Sequence, residues 1–265
     1  AIKRPGVRFP LDPFILLTSK SMHRFYCPEA NFSSKHILIT GKDELHHLRD
    51  VLRLKKNTQV YLSNGKGREA SGILLSVTSQ KAEVEVLSVK KLKRKNPLLI
   101  LACALPKKSK FEFIIEKATE LGVDEIIPLQ TQRTEKNLNG NRLVKKLSRY
   151  QTVAVNAAKQ SQRSFVPVIH PVTDFPSTLD LLTKTTRTII PSLRGKRENI
   201  LNVFKKLKSP KAISFLIGPE GDFAPEEYER AESSGCIAVT LGETILKVET
   251  AAICTLSCAN LFFRA

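Results

Sequence analysis

The chain has 265 residues, enough for one large domain or two, and carries 43 Lys+Arg against 25 Asp+Glu, a formal net charge of +18. Such an excess strains the compact state by self-repulsion and answers to a polyanionic partner; nucleic acid is the first reading, since no long basic amphipathic helix marks an anionic membrane. The five Cys are scattered without a CxxC pair, which argues against a zinc site and a disulfide framework, and no apolar run approaches the ~20 residues of a membrane span. A reducing cytoplasm, no metal and no membrane partner are expected.

Residues 1–21 contain three prolines and show no usable period, and Phe14–Leu17 is too short for a signal-peptide core. Met22 is the only methionine, so translation is expected to start there, with residues 1–21 an extension outside the fold. From Arg24 to Val89 the pattern is mostly strand. His36–Thr40, Thr58–Leu62, Ala70–Val77 and Ala82–Val86 are short β-rich runs, the last with clean apolar alternation. Asn64-Gly65-Lys66-Gly67 supplies a turn, and one helix is expected from about Asp43 to Leu52. Residues 22–90 therefore read as a small β-barrel. Lys90 to Lys95, then Asn96-Pro97, forms a basic hinge, with the linker placed at residues 91–97; it either touches phosphate or is a solvated tether.

The period then changes. Leu98–Leu105 is a continuous apolar run, as expected of a parallel strand buried on both faces. Ser109 and Glu112 form a capping box, Phe111, Ile114, Ile115, Ala118 and Leu121 one apolar stripe, and Gly122 stops the helix. Asp124–Gln130 is the next strand. A basic helix follows from about Asn141 to Gln162, with Leu143, Leu147, Ala154, Ala158 and Ser161 inward. Thr186–Ile190, Ile213–Ile217 and Ile237–Leu241 are further strands with helices between them, so residues 98–265 read as an α/β domain. The closing helix, Thr250–Phe262, is apolar almost all round and needs cover on every side. Either a second copy of the chain supplies it, as a homodimer, or the helix packs wholly within its own domain.

Two segments carry the chemistry. Phe215-Leu-Ile-Gly-Pro-Glu-Gly-Asp-Phe223 and Leu241-Gly-Glu-Thr-Ile-Leu-Lys-Val-Glu-Thr-Ala251 each follow a strand, turn at glycine and feed a helix. Strand ends of this kind are where open α/β sheets bind small ligands. Neither a Gly-x-Gly-x-x-Gly after the first α/β strand, nor a Gly-Lys-Ser/Thr loop, nor a Gly-x-Ser-x-Gly elbow is present. His46 and His47 adjoin on the expected helix and make a poor metal pair; one contacts RNA or is a satisfied structural histidine.

With His23-Arg-Phe-Tyr26, His46-His-Leu-Arg-Asp-Val-Leu-Arg53, Lys110 to Gly122, Ala157-Ala-Lys-Gln-Ser-Gln-Arg163 and the two glycine turns, the chain resembles the RsmE family of SPOUT-superfamily RNA methyltransferases. Those enzymes methylate uracil N3 of one uridine in small-subunit (16S) ribosomal RNA. The resemblance implies a PUA-like barrel, a SPOUT domain with a C-terminal trefoil knot, a homodimer, and S-adenosylmethionine bound between the knot loops. It places Ile217, Gly218, Gly221, Leu241, Gly242, Ile245 and Leu246 on the cofactor loops. It favours Arg24, His47, Arg53, Lys107, Lys110 and Arg133 for contact with the ribosomal RNA or the assembled small subunit.

Methyl transfer is an in-line displacement that mainly needs two reactants positioned, and uracil N3–H must lose its proton. Glu220 and Glu249 are candidate bases, Glu249 equally a helix N-terminal cap. Arg163 and Lys247 could hold the imide anion or a phosphate. The chain departs from the family's usual pattern at Lys159 (Glu), Asp222 (Gly), Glu243-Thr244 (Pro-Arg) and Lys247-Val248 (Arg-Thr), and Ala224 lacks the cap oxygen of a serine. The leading reading is a methyltransferase acting on uracil N3. Its rivals are an RNA-binding protein with a decayed site and a methyltransferase with another RNA target.

Overall fold

The computed structural model of the protein describes residues 23–106, 110–134 and 141–265. The expected extension 1–21, Lys107 and the capping residue Ser109 lie outside the described residues.

The N-terminal strands are β1 (His23–Tyr26), β2 (His36–Ile39), β3 (Gln59–Ser63), β4 (Arg68–Val77) and β5 (Ala82–Lys91). They form one curled sheet in the order β1-β3-β4-β5-β2, with β1 parallel to β3 and the other pairs antiparallel. Strand alternation sorts its faces. Phe25, Val60, Leu62, Ala70, Leu74, Ala82 and Val84 point inward and are at most 2% exposed. Arg24 and Tyr61, paired in register, and Tyr26 point the other way. The expected helix is split: α1 (Lys42–His46) runs into a π-helical turn, His47–Val51. Lys90 and Lys91 extend β5, paired with Glu69 and Arg68, rather than opening the hinge.

The second part alternates strand and helix. Its elements are β6 (Leu98–Ala104), α2 (Lys110–Glu120), β7 (Glu125–Gln130), α3 (Asn141–Gln160), β8 (Val168–Ile169), β9 (Thr173–Asp174), α4 (Phe175–Thr185), β10 (Arg187–Pro191) and β11 (Glu198–Asn199). Then come α5 (Ile200–Lys206), β12 (Ala212–Ile217), α6 (Pro225–Ser233), β13 (Ile237–Thr240) and α7 (Val248–Arg264). The strands lie in the order β11-β13-β10-β12-β6-β7-β8, with β9 on β7, and every pair is parallel. Because both faces are covered, alternate residues of one strand enter different cores. Ile213, Phe215 and Ile217 of β12 meet α2, α3, α5 and α7, whereas Leu216 meets Phe175, Leu179 and Leu182 of α4 and Ala231 of α6.

Helix α7 buries Val248, Ala252, Thr255, Leu256 and Ala259. Its own chain does not close over the rest: Leu261 is 70% and Phe262 41% exposed. Arg264 at its end donates to Asp124 and to the carbonyls of Pro97 and Gly122, while Arg94 Nη1 lies 2.9 Å from the other Asp124 oxygen. The curled sheet meets the α/β part where Gly67 N–H donates to Ser164 O at 3.0 Å and Val166 N–H to Gly65 O at 2.9 Å. Among the described residues no helix is long and apolar enough to cross a membrane, and no group of three or more His, Cys, Asp or Glu is placed to hold a metal.

Candidate active site

In a parallel sheet all the strand C-termini share one edge, and the loops leaving neighbouring strands meet there. Here β13, β10 and β12 are neighbours. The loops that follow them enclose a cavity of about 330 Å³. The post-β12 loop brings Ile217, Gly218, Pro219, Glu220 and Asp222; the post-β13 loop brings Leu241, Gly242 and Thr244–Val248. Lys110, at the start of α2, reaches the same space.

The geometry of both turns follows from their residues. A Cβ on Gly218 would come within 3.1 Å of the Phe223 ring, so any larger residue would have to push that ring back by a few tenths of an ångström. Gly242 has φ +133°, a conformation that other residues rarely adopt, and its loop is pinned by Thr240, whose Oγ1 donates to Gly242 O at 2.9 Å.

Of the seven residues expected to bind a cofactor, six line the cavity: Ile217, Gly218, Leu241, Gly242, Ile245 and Leu246. Gly221 does not; its carbonyl accepts a 2.6 Å hydrogen bond from Arg133 Nη1, so Arg133 braces this loop. Glu220 and Lys247 also line the cavity. Glu249 sits in the first turn of α7 beside it, with Oε1 3.5 Å from Lys110 Nζ and Oε2 buried without a hydrogen-bond partner. Burial, Glu220 and Glu249 together push the Cys103 thiol up, which places both carboxylates near the end of β6.

Arg163 is not brought to this cavity. Its Nη1 donates to Thr119 O at 2.7 Å and to Val123 O at 2.9 Å, satisfying carbonyls at the C-terminal end of α2, whereas Lys110 begins that helix. Burial lowers its pKa to about 10, opposed by Asp124. Arg24 and His47 lie together in a separate cleft against α3, and Arg53 is exposed just beyond it. Lys107 lies outside the described residues.

Sequence reasoning missed the third wall. Pro191, Ser192, Leu193 and Arg197, in the loop after β10, also line the cavity. Ser192 N–H donates to Val239 O at 3.0 Å, and Arg197 Nη1 to Ser192 O at 3.0 Å, so the loop lies across the end of β13. The available signal was another strand end, with Pro191 closing the run and Gly195 soon after.

An all-parallel α/β sheet with a loop-walled cavity at its C-terminal edge, joined to a small curled sheet, is the two-part architecture of a protein with a small-ligand pocket at its strand ends. The RNA methyltransferase domain model matches residues 94–260, and the RNA methyltransferase PUA domain model matches residues 39–87. Ribosomal RNA small subunit methyltransferase E of Bacillus subtilis is 33% identical over 83% of this chain and 87% of its own. The protein of that name from Mesomycoplasma hyopneumoniae is 32% identical over 88% and 96%. A crystal structure of ribosomal RNA small subunit methyltransferase E from Neisseria gonorrhoeae, bound to S-adenosyl methionine, is 27% identical, covers 91% of this chain and 98% of its own, and superposes with a TM-score of 0.79. The chain belongs to the ribosomal RNA small subunit methyltransferase E family.

Proposed function

We propose that the protein is an S-adenosylmethionine-dependent methyltransferase of small-subunit (16S) ribosomal RNA, and that its target atom is N3 of a uracil. The observation that carries this reading is the convergence of the Ile217–Asp222 and Thr240–Val248 turns on one cavity. The cavity fits the cofactor's chemistry. Leu241, Ile245, Leu246, Val248 and Ala251 offer apolar walls for an adenine ring, and the glycine turns bring backbone amides and carbonyls close enough for its edge. Lys110, Arg197, Glu220, Asp222 and Lys247 supply the charged groups.

When bound, S-adenosylmethionine supplies a methyl group on a sulfonium. The protein's share is to orient the uracil, exclude water and move the N3 proton. Glu220 or Glu249 accepts that proton, Glu249 offering an Oε2 that has no other donor. Lys247 and Lys110 hold the charge that spreads onto the uracil carbonyl oxygens as the proton leaves. Arg133 acts on the site by bracing the Gly221 carbonyl.

The reading extends to architecture. Residues 22–90 form a PUA-like RNA-docking unit, residues 91–97 a linker, and residues 98–265 a SPOUT domain with a C-terminal trefoil knot. Support for the knot is topological. The chain from β10 to β11 passes from one side of β13 to the other, and the segment after β13 leads into α7, which packs on α2, α5, β6 and β12, an order of elements compatible with a knot. A homodimer through the open side of α7 explains why Leu261 and Phe262 are left exposed. Calorimetry with S-adenosylmethionine and transfer of a labelled methyl group to small subunits lacking the modification test the function. Mass spectrometry of the nucleosides then locates the atom. Absence of both binding and incorporation ends the proposal; incorporation at a base other than uracil corrects the target.

A further inference from the structure

A second cavity, about 1010 Å³, lies between the outer face of β1–β3 and helix α3 and shares no residue with the cavity at the strand ends. Its make-up differs from that of a phosphate groove. Two of the three lysines and arginines in its lining are matched, Arg24 lying 2.7 Å from Glu69 and Lys159 Nζ 2.5 Å from Glu44, while Lys42 is exposed at the rim. The inner walls are otherwise uncharged. Strand alternation turns Tyr26 and Tyr61 into the cleft from one side. His47 joins them; burial, with Lys159 nearby, holds its imidazole below the usual range, so its ring is uncharged at neutral pH. From the other side α3 presents Asn156 and Gln160, four residues apart on one face, with Gln151 at the opposite rim of the cleft.

Aromatic faces opposite a pair of carboxamides suit a nucleobase: the rings stack on its face, and an amide offers a donor and an acceptor to its edge. The helical groove of a duplex offers no such face, since its bases are stacked on one another. We propose that this cleft receives an unpaired nucleobase of the RNA, stacked against Tyr26 and Tyr61 and read along its edge by the carboxamides of α3, with the phosphates left outside on Arg53 and its exposed neighbours. This rests on the reading of the protein as acting on RNA. It adds a contact away from the reacting base, which fixes the register of the strand before the target base enters the catalytic cavity.

The test uses the whole chain and a short fluorescein-labelled single-stranded RNA, titrated at low and high salt. Tyr61→Ala weakens binding about tenfold at every salt concentration and leaves the salt slope unchanged. Arg53→Gln instead flattens the slope by about 0.7. The double variant Asn156→Ala/Gln160→Ala, at exposed helix positions that do not support the sheet, weakens binding and alters preference among the four bases. A duplex of the same sequence competes poorly. Calorimetry with S-adenosylmethionine gives wild-type affinity for all three variants. If Tyr61→Ala and the α3 double variant bind this RNA as wild type does, the cleft is not a base site and the proposal is overturned, with the methyltransferase reading untouched. Failure of the wild type to bind S-adenosylmethionine or transfer methyl would sink that reading instead, whatever the cleft binds.

Discussion

Replacing Gly242 by alanine isolates the backbone of the post-β13 loop as a determinant of cofactor affinity. At φ +133° the residue lies in a region that is essentially glycine-only, where another residue costs about 1–3 kcal/mol. A Cβ built there has no atom within 4 Å, so steric conflict with neighbours adds nothing and the whole penalty falls on the loop's conformation. The loop relieves it by rotating about Gly242, breaking the Thr240 hydrogen bond and carrying Leu241 and Ile245 off the cavity wall. Free energy of that size corresponds to a loss of about 5- to 150-fold in affinity for S-adenosylmethionine, read by calorimetry. Because Gly242 is exposed and outside the core, the melting temperature should barely move. Asparagine sharpens the test. It tolerates the left-handed region near φ +57° but not +133°, so Gly242→Asn should fare no better than alanine. Wild-type affinity in Gly242→Ala, or its recovery in Gly242→Asn, would refute the argument.

Three further outcomes concern stability. Arg264→Ala leaves the carbonyls of Pro97 and Gly122 without their donor and the buried Asp124 with only Arg94 and the Leu99 N–H, so urea denaturation should show a loss of about 3 kcal/mol. Lys159→Glu sets a second carboxylate against Glu44, which is 8% exposed and now lies 2.5 Å from the Lys159 ammonium. A destabilisation of about 3 kcal/mol is expected, partly relieved in acid as one of the two carboxylates takes up a proton. Burial holds the His47 imidazole below the ordinary histidine value of about 6.5, so the unfolded chain binds the proton more readily than the fold does. Stability is therefore intact above about pH 6.5 and falls as pH drops towards the folded value; His47→Gln should remove that part of the decline from the pH profile of chemical denaturation.

The legible parts of the sequence were those with a sustained period. The stripe Phe111, Ile114, Ile115, Ala118 specified the buried face of α2, and the run from Leu98 specified a strand covered on both sides. The four residues of β1 carry no period of their own and are fixed by pairing with β3, more than thirty residues away. The two-residue strands β8, β9 and β11 are too short for alternation to register. At the site, two walls were readable because glycine turns interrupt apolar strands. The Pro191–Arg197 wall was not, because its place over β13 is set by the strand order rather than by its residues. Arg163 shows the converse. Its sequence neighbourhood resembled a functional motif, yet the side chain is consumed by carbonyls at the far end of α2.

The positions where this chain departs from its family's usual residues bear on whether the site still works. Asp222 adopts φ +63°, a conformation aspartate tolerates better than most residues. Its Oδ1 accepts hydrogen bonds from Phe223 N–H at 2.9 Å and from the Tyr228 hydroxyl at 2.6 Å, so the negative charge is tied to α6. Burial and this carboxylate together push the Tyr228 hydroxyl up. Ala224 offers no cap oxygen, but Glu227 Oε2 accepts from its N–H at 2.9 Å while Oε1 accepts from Gln132 N–H, which restores part of a cap worth about 1 kcal/mol. Glu243 is exposed and is not among the residues that line the cavity. Lys247 does line it and keeps the positive charge of the arginine it replaces, though not the planar fork. The substitutions leave the apolar walls and the glycine turns in place, but change the charged lining: Asp222 adds a carboxylate and Thr244 lacks the arginine's charge. The hint of a decayed site in the sequence, the Glu243-Thr244 pair, is thereby halved: Glu243 stands outside the cavity, whereas Thr244 lines it, and the Asp222 carboxylate that also lines it is bound by Tyr228.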